Sequence, residues 1–158
     1  MVERQTYLWR ILVTGTCFAL FGIGGLILGL LVFPVLLLWP DPGGRRRART
    51  RALVQRSFRL FVTVMSGLGG IGYEFHGRER LGRPGQLIVA NHPTLVDVVF
   101  IVAFTPAPAC VVKAALFANP FTRRVVQAAG YISNAPTDQM IEQSIAALKS
   151  GDCLVMFP

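Results

Sequence analysis

Along this chain the rhythm of apolar and polar positions changes twice. No charged side chain occurs from residue 11 to residue 39. At ~1.5 Å per residue, the stretch 11–33 alone would reach ~34 Å as a helix, enough for a hydrocarbon core of ~30 Å. The run is too long for a signal-peptide core and lacks the polar stripe of a soluble core helix. Gly22, Gly24, Gly25 and Gly29 within it and Pro34 near its end leave two shapes open, a kinked transmembrane span and a re-entrant hairpin. Residues 52–68 then place Val54, Phe58, Phe61, Val62, Met65 and Leu68 at helical spacing, with Arg56, Arg59, Thr63 and Ser66 opposite. That spacing predicts an amphipathic helix, lying either on a membrane surface or on the rest of the chain.

From residue 73 the pattern shortens into alternating strands and helices. Residues 73–76 alternate like a strand, Arg83, Pro84 and Gly85 form a turn, and residues 86–90 read as a buried strand. A helix over 97–104 is broken by residues 105–108, and 110–113 read as another buried strand. Asn119 and Pro120 open a helix to about Ala129, ended by Gly130. Residues 131–133 form a strand. A helix starting at Thr137 or Asp138 turns Ile141, Ile145 and Leu148 inward and stops at Gly151, before a last strand over 153–157. The fold class expected is therefore α/β, an N-terminal transmembrane or re-entrant helix followed by a sheet with flanking helices. The expected division is 1–40 membrane anchor, 41–72 basic linker and amphipathic helix, and 73–158 the α/β part.

Composition agrees with a membrane-attached chain. The 158 residues are 53% hydrophobic, with mean hydropathy +0.52, too apolar for an ordinary soluble domain. The net charge of +8 is concentrated early: residues 1–60 hold nine basic side chains against Glu3 and Asp41. Five of the nine, Arg45, Arg46, Arg47, Arg49 and Arg51, follow directly on Asp41, Pro42, Gly43 and Gly44. A basic run tethered this close to a bilayer reads as a cytoplasmic flank touching anionic headgroups rather than nucleic acid. Gly25 and Gly29 also fit the small-xxx-small spacing of paired membrane helices, which would make a homodimer. Cys17, Cys110 and Cys153 lie in or beside apolar runs without metal-ligand spacing, and read as buried small hydrophobes in a reducing compartment. Gly67, Gly69 and Gly72 spell a dinucleotide-type G-x-G-x-x-G, but a helix precedes it and a strand follows, so it is read as a flexible link.

The chemistry centres on residues 87–97. A short apolar strand is stopped by Asn91, His92 and Pro93, and Thr94 restarts the chain with Asp97 three positions on, a capping-box signature. Helical side chains lean toward the helix N-terminus, so the Asp97 carboxylate is expected to aim at His92. A strand-end histidine oriented by a carboxylate makes a general base. The alternative is a cap and a turn residue with no chemistry.

Asn91 and His92, followed by four residues and Asp97, resemble the first motif of the lysophospholipid acyltransferase superfamily, the 1-acylglycerol-3-phosphate acyltransferases and their relatives. The resemblance covers roughly residues 73–158. It takes in Tyr73, Glu74, Phe75, His76 and Gly77, then Lys113, Ala114, Ala115 and Leu116 leading to Asn119 and Pro120. Gly130, Tyr131 and Ile132 stand where the second motif begins, and Phe157 and Pro158 where the third does. The chain departs from the family at Ser133, Asn134, Ala135 and Pro136, where typical members continue to an Arg that holds the acceptor's phosphate. The third motif continues Glu-Gly-Thr-Arg in the family, so the chain reads as cut short there. A looser likeness, in Leu8, Trp9, Arg10, Thr14, Gly15 and the Asn-His-Pro variant, points to the acyltransferases of bacterial aryl-polyene-type gene clusters.

The resemblance implies an acyltransferase-type sheet and a membrane-bound enzyme. It would move a fatty acyl group from an acyl thioester, of acyl carrier protein or coenzyme A, to a lysophospholipid-like or other lipid hydroxyl. His92 would be the base and Asp97 its partner. Asn91, Thr94, Lys113, Gly130, Phe157 and Pro158 form the expected substrate-binding set. Lys113 is read either as a contact to a phosphate of the acyl carrier or as a solvated strand end. No metal and no cofactor beyond the co-substrate are expected, and the partners are membrane lipids and the thioester carrier, not nucleic acid. The location expected is the bacterial inner membrane, with the catalytic part facing the cytoplasm. The competing reading is a catalytically incomplete, membrane-tethered lipid-binding fragment. A Ser or Cys hydrolase is weaker, because no G-x-S-x-G elbow occurs.

Overall fold

The computed structural model describes residues 2–41, 43–92 and 94–157. Helix α1 (Val2–Ile27) runs through a single π-turn (Leu28–Val32) into α2 (Phe33–Leu38). The four glycines do not break it, and one helical path replaces the hairpin alternative. The π-turn falls where it is useful: Pro34 cannot donate, and widening the preceding turn relieves its clash with the carbonyl four residues back. Residues Ile11–Leu36, with mean hydropathy 2.5, are long and apolar enough to cross a membrane.

This rod packs antiparallel along α3 (Arg46–Gly67). Val13 and Cys17 meet Met65, and Phe21 meets Phe58 and Phe61, with ring centroids 6.3 and 5.2 Å away. Gly25 lines the groove between the two helices, and a Cβ at Gly29 would meet the Phe121 carbonyl at 3.7 Å.

Helix α3 begins earlier than the apolar spacing predicts. The Asp41 carboxylate accepts the backbone N–H groups of Arg45 (2.7 Å) and Arg46 (3.1 Å), capping a helix that arginine, a good helix former, then continues. The basic run is thus mostly first turns of a helix rather than a linker. Its last member, Arg51, is buried under the sheet instead of lying at headgroups.

The sheet is wholly parallel, in the order β1 (Leu87–Val89), β4 (Leu154–Met156), β2 (Ala109–Val112), β3 (Ile132–Ser133). Ile88, Cys110 and Val155 face α3 and α4 (Leu95–Phe104), packing with Val54, Phe58, Val98, Ile101 and Val102. Ala109, Val111, Ile132 and Leu154 face α7 (Thr137–Lys149). This is the alternation that two covered faces impose on a pleated strand.

Four expectations are corrected. Residues 73–76 belong to no strand: the Tyr73 and Phe75 rings dock on Phe100 and Phe104 of α4, 4.9 Å between centroids for Tyr73–Phe100 and for Phe75–Phe104. Strand β1 is an edge rather than a buried strand, leaving Leu87 47% and Val89 59% exposed on the α7 side of the sheet, beyond the reach of that helix. The helix expected from Asn119 is split into α5 (Ala115–Ala118) and α6 (Arg123–Ala129), because Asn119 is extended and its side chain accepts the Phe121 N–H. Helix α7 turns Met140, Ser144, Ala147 and Leu148 inward while Ile141 and Ile145 stay exposed, since the small Ser144 and Ala147 let it lie close on the sheet.

Candidate functional site

In a parallel sheet every strand ends at the same edge, and open α/β sheets bind ligands there. Beyond β1, the Ala90 N–H still donates to the Met156 carbonyl (3.1 Å), so Asn91 and His92 leave the sheet beside the end of β4. Asn91 is exposed and His92 half-buried. The imidazole stands edge-on against the Phe157 ring, centroids 4.9 Å apart at 86°. Phe157 follows β4 directly, so the neighbouring strand holds the histidine in place. Neither ring nitrogen of His92 has a hydrogen-bond partner among the described residues.

Helix α4 opens as its spelling predicts. Thr94 is extended (φ −133°, ψ 158°) and forms a capping box with Asp97. Its backbone N–H and its hydroxyl both donate to Asp97 Oδ2, each at 2.8 Å. These two bonds, the hydroxyl first, hold the Asp97 carboxyl below its ordinary value of 3.8, and the nearby charge of His92 adds a smaller push in the same direction. Among the described residues no hydrogen bond or ion pair joins Asp97 to His92. The carboxylate expected to aim at the imidazole is engaged by Thr94, one turn away.

Two other expected residues share this edge. Lys113 is exposed just past β2, level with Asn91 by register, two strand spacings (~10 Å) across the sheet. Phe157 is the ring against His92. Pro158 lies outside the described residues. Gly130 does not join them. It ends α6 in a left-handed conformation (φ 61°, ψ 43°) before β3, at the opposite edge. A Cβ there would run into the Arg47 side chain, with Cδ at 2.9 Å.

Sequence reasoning missed Asn134. Its backbone N–H donates to the Val112 carbonyl (2.9 Å) and its Oδ1 accepts the Ala114 N–H (3.0 Å), binding together the chain after β2 and β3. The signal was present in the stretch from Ser133 to Pro136, where Asn between Ser and Pro marks a turn. Cysteine chemistry is disfavoured: burial pushes the Cys110 thiol up to about 12, and Cys153 is raised for the same reason. Among the described residues no three His, Cys, Asp or Glu side chains converge as metal ligands.

A family model described as acyltransferase matches residues 72–158. No curated protein and no solved structure matches the chain.

Proposed function

Because the chain belongs to the acyltransferase family, we propose that it moves a fatty acyl group from a thioester, of acyl carrier protein or coenzyme A, to a hydroxyl of a lysophospholipid-like or other lipid. His92 takes the proton of that hydroxyl as its oxygen attacks the thioester carbonyl carbon. The C–S bond breaks, and the departing thiolate takes the proton back from the imidazolium. No covalent acyl-enzyme is needed, because the acceptor is itself the nucleophile. Asp97 steadies the ring through its charge, while Asn91, Thr94 and Phe157 help position the substrate beside it. Lys113, on the same edge, suits a phosphate of the acyl carrier.

The observation that carries this reading is the placement of His92. A half-buried imidazole, neither of whose nitrogens has a hydrogen-bond partner among the described residues, stands at the carboxyl edge of a parallel sheet, inside the matched family region. The helical rod supplies the lipid side. Leu12, Phe18, Ile23, Leu31, Val35 and Leu38 are exposed along the rod of α1, π-turn and α2, an apolar surface suited to a bilayer. Lengthwise packing on α3 favours a domain held against the membrane rather than hanging from a free stalk. The location proposed is the cytoplasmic face of a bacterial inner membrane.

The test is transfer of a radiolabelled acyl group from thioester to lysolipid by the chain and its His92→Ala variant. Loss of a general base should lower turnover by roughly 10²–10⁴-fold; unchanged turnover would end the proposal. One observation favours a second reading, a lipid-binding protein without catalysis: Asp97 is bonded to Thr94 and not to His92. Saturable lysolipid binding with no product from the unaltered chain would select it.

A further inference from the structure

At the edge of the sheet opposite His92, a cleft of about 500 Å³ opens between the start of α3 and α6. It is lined by Arg46 and Arg47 of α3, Arg124 and Gln127 of α6, and Asp41 and Gly44 of the loop before α3. Three guanidinium groups thus face one carboxylate. That carboxylate is already committed, since Asp41 accepts the N–H groups of Arg45 and Arg46 and so fills the helix end itself. No acid forms an ion pair with Arg46, Arg47 or Arg124 among the described residues. Arg46 Nε moreover is buried without a hydrogen-bond partner among the described residues, a donor that an oxygen in the cleft would satisfy once the flexible side chain turns it outward.

We infer that this cleft binds the phosphate group of an anionic phospholipid and so fixes how the domain sits on the membrane. Guanidinium forks match phosphate oxygens two at a time, and the uncompensated charge of the lining is +2, three arginines less Asp41. The position selects a lipid over a soluble anion. Exposed Leu38 and Trp39 end the apolar rod two to three residues before Asp41, and tryptophan at the end of an apolar helix marks the headgroup level. The site differs from a diffuse basic patch because Arg124 comes from a separate helix, remote in sequence from the arginine run. It rests on the membrane attachment proposed above but not on acyl transfer.

The test uses the full chain in neutral maltoside micelles, with Trp9→Phe so that Trp39 alone reports. Short-chain phosphatidylglycerol should shift the Trp39 emission saturably, and short-chain phosphatidylcholine should not. Arg124→Ala should weaken the binding about tenfold or more, the loss of charge-assisted hydrogen bonds. Arg49→Ala removes the same charge from an exposed position outside the cleft and should cost less than about twofold. Arg124→Lys, which keeps the charge but loses the fork, should fall between them and guards against misfolding of the alanine variant. Equal losses for Arg124→Ala and Arg49→Ala would overturn the inference in favour of diffuse charge, and equal binding of the two lipids would leave only apolar contact. Inorganic phosphate that saturates the cleft where the lipid does not would name a soluble anion instead. An acidic carrier protein that binds in place of lipid would overturn it too. His92→Ala should bind the lipid like the unaltered chain, so failure of the acyl-transfer proposal and failure of this one read out separately.

Discussion

Arg51 offers the sharpest test of how the amino-terminal helices are joined to the sheet. Its Nη1 and Nη2 donate to Asp152 Oδ1 and Oδ2 at 2.8 and 3.1 Å, and its Nε donates to the Ala129 carbonyl at 2.8 Å. The Arg51 side chain is 6% exposed and that of Asp152 27%. Removing one partner of a buried pair costs about 3–5 kcal/mol, because the other charge is left uncompensated. Asp152 keeps over a quarter of its side-chain surface in water, so it rehydrates in part. The lower end applies, and Arg51→Ala should destabilise by about 3 kcal/mol.

For a chain of this size, that loss corresponds to a melting temperature lower by about 6–12 °C. Far-ultraviolet circular dichroism of the detergent-solubilised chain would measure it, with Arg49→Ala as the exposed control. Arg51→Lys should recover little, since an ammonium cannot make the two parallel bonds. Replacing both partners, as Arg51→Met with Asp152→Leu, should cost less than Arg51→Ala alone. A loss below about 1 kcal/mol would place the pair with ordinary surface ion pairs and refute the reasoning.

Gly82→Ala meets two penalties at once. The residue has φ +80°, and a Cβ would come within 2.8 Å of Pro106 Cγ and closer still to its Cδ. Left-handed strain and overpacking together should cost about 2–4 kcal/mol in urea unfolding. The same change at Gly69 (φ +70°), where a Cβ meets nothing within 4 Å, should cost only about 1–2 kcal/mol; equal losses would mean that Pro106 yields. The Asp97 carboxyl should titrate below 3.8 by NMR and return toward it in Thr94→Ala, since the threonine bonds are the largest cause of its depression. A carboxyl depressed by folding stabilises the chain above its unfolded pKa, so the contribution of the cap is full at neutral pH. It should fade only as the pH drops through the still lower folded value.

What was legible in the sequence is what local chemistry decides. Thr94 and Asp97 are three residues apart, and their capping box is present as written. The apolar runs 87–89, 109–112 and 154–156 are strands, and Gly130 ends its helix left-handed. What stayed hidden depends on partners far away in the chain. Nothing near Arg51 hints that Asp152, 101 positions on, would draw it beneath the sheet. Residues 73–76 alternate like a strand, but alternation cannot say whether a sheet edge or the rings of α4 will receive Tyr73 and Phe75. Helix α7 carries two overlapping stripes that share Leu148, and only the sheet beneath chooses between them. The Ile141 stripe is the more apolar; the Ser144 stripe packs closer. The bond from Asp97 to Thr94 rather than to His92 was not legible, because a competition for one carboxylate is settled by rotamers.

That competition has a structural resolution within the carboxylate itself. Both Thr94 bonds fall on Asp97 Oδ2, and Oδ1 accepts none among the described residues. A carboxylate offers about four acceptor directions, so capping the helix uses part of its capacity. The two 2.8 Å bonds also pin the group in one orientation that a free surface aspartate would not keep. Oδ1 thereby keeps its acceptor directions free of the cap. For the proposed acyl transfer the depressed Asp97 pKa then matters in a definite way. A proton taken by the imidazole stays there, because the acid beside it is too weak a base to accept it. In that proposed reaction the fixed negative charge would stabilise the imidazolium, which would return its proton to the departing thiolate. Under the proposed mechanism the cap and the base are compatible readings of Thr94 and Asp97, since the bonds that cap the helix also favour the ionised carboxylate and hold it in place.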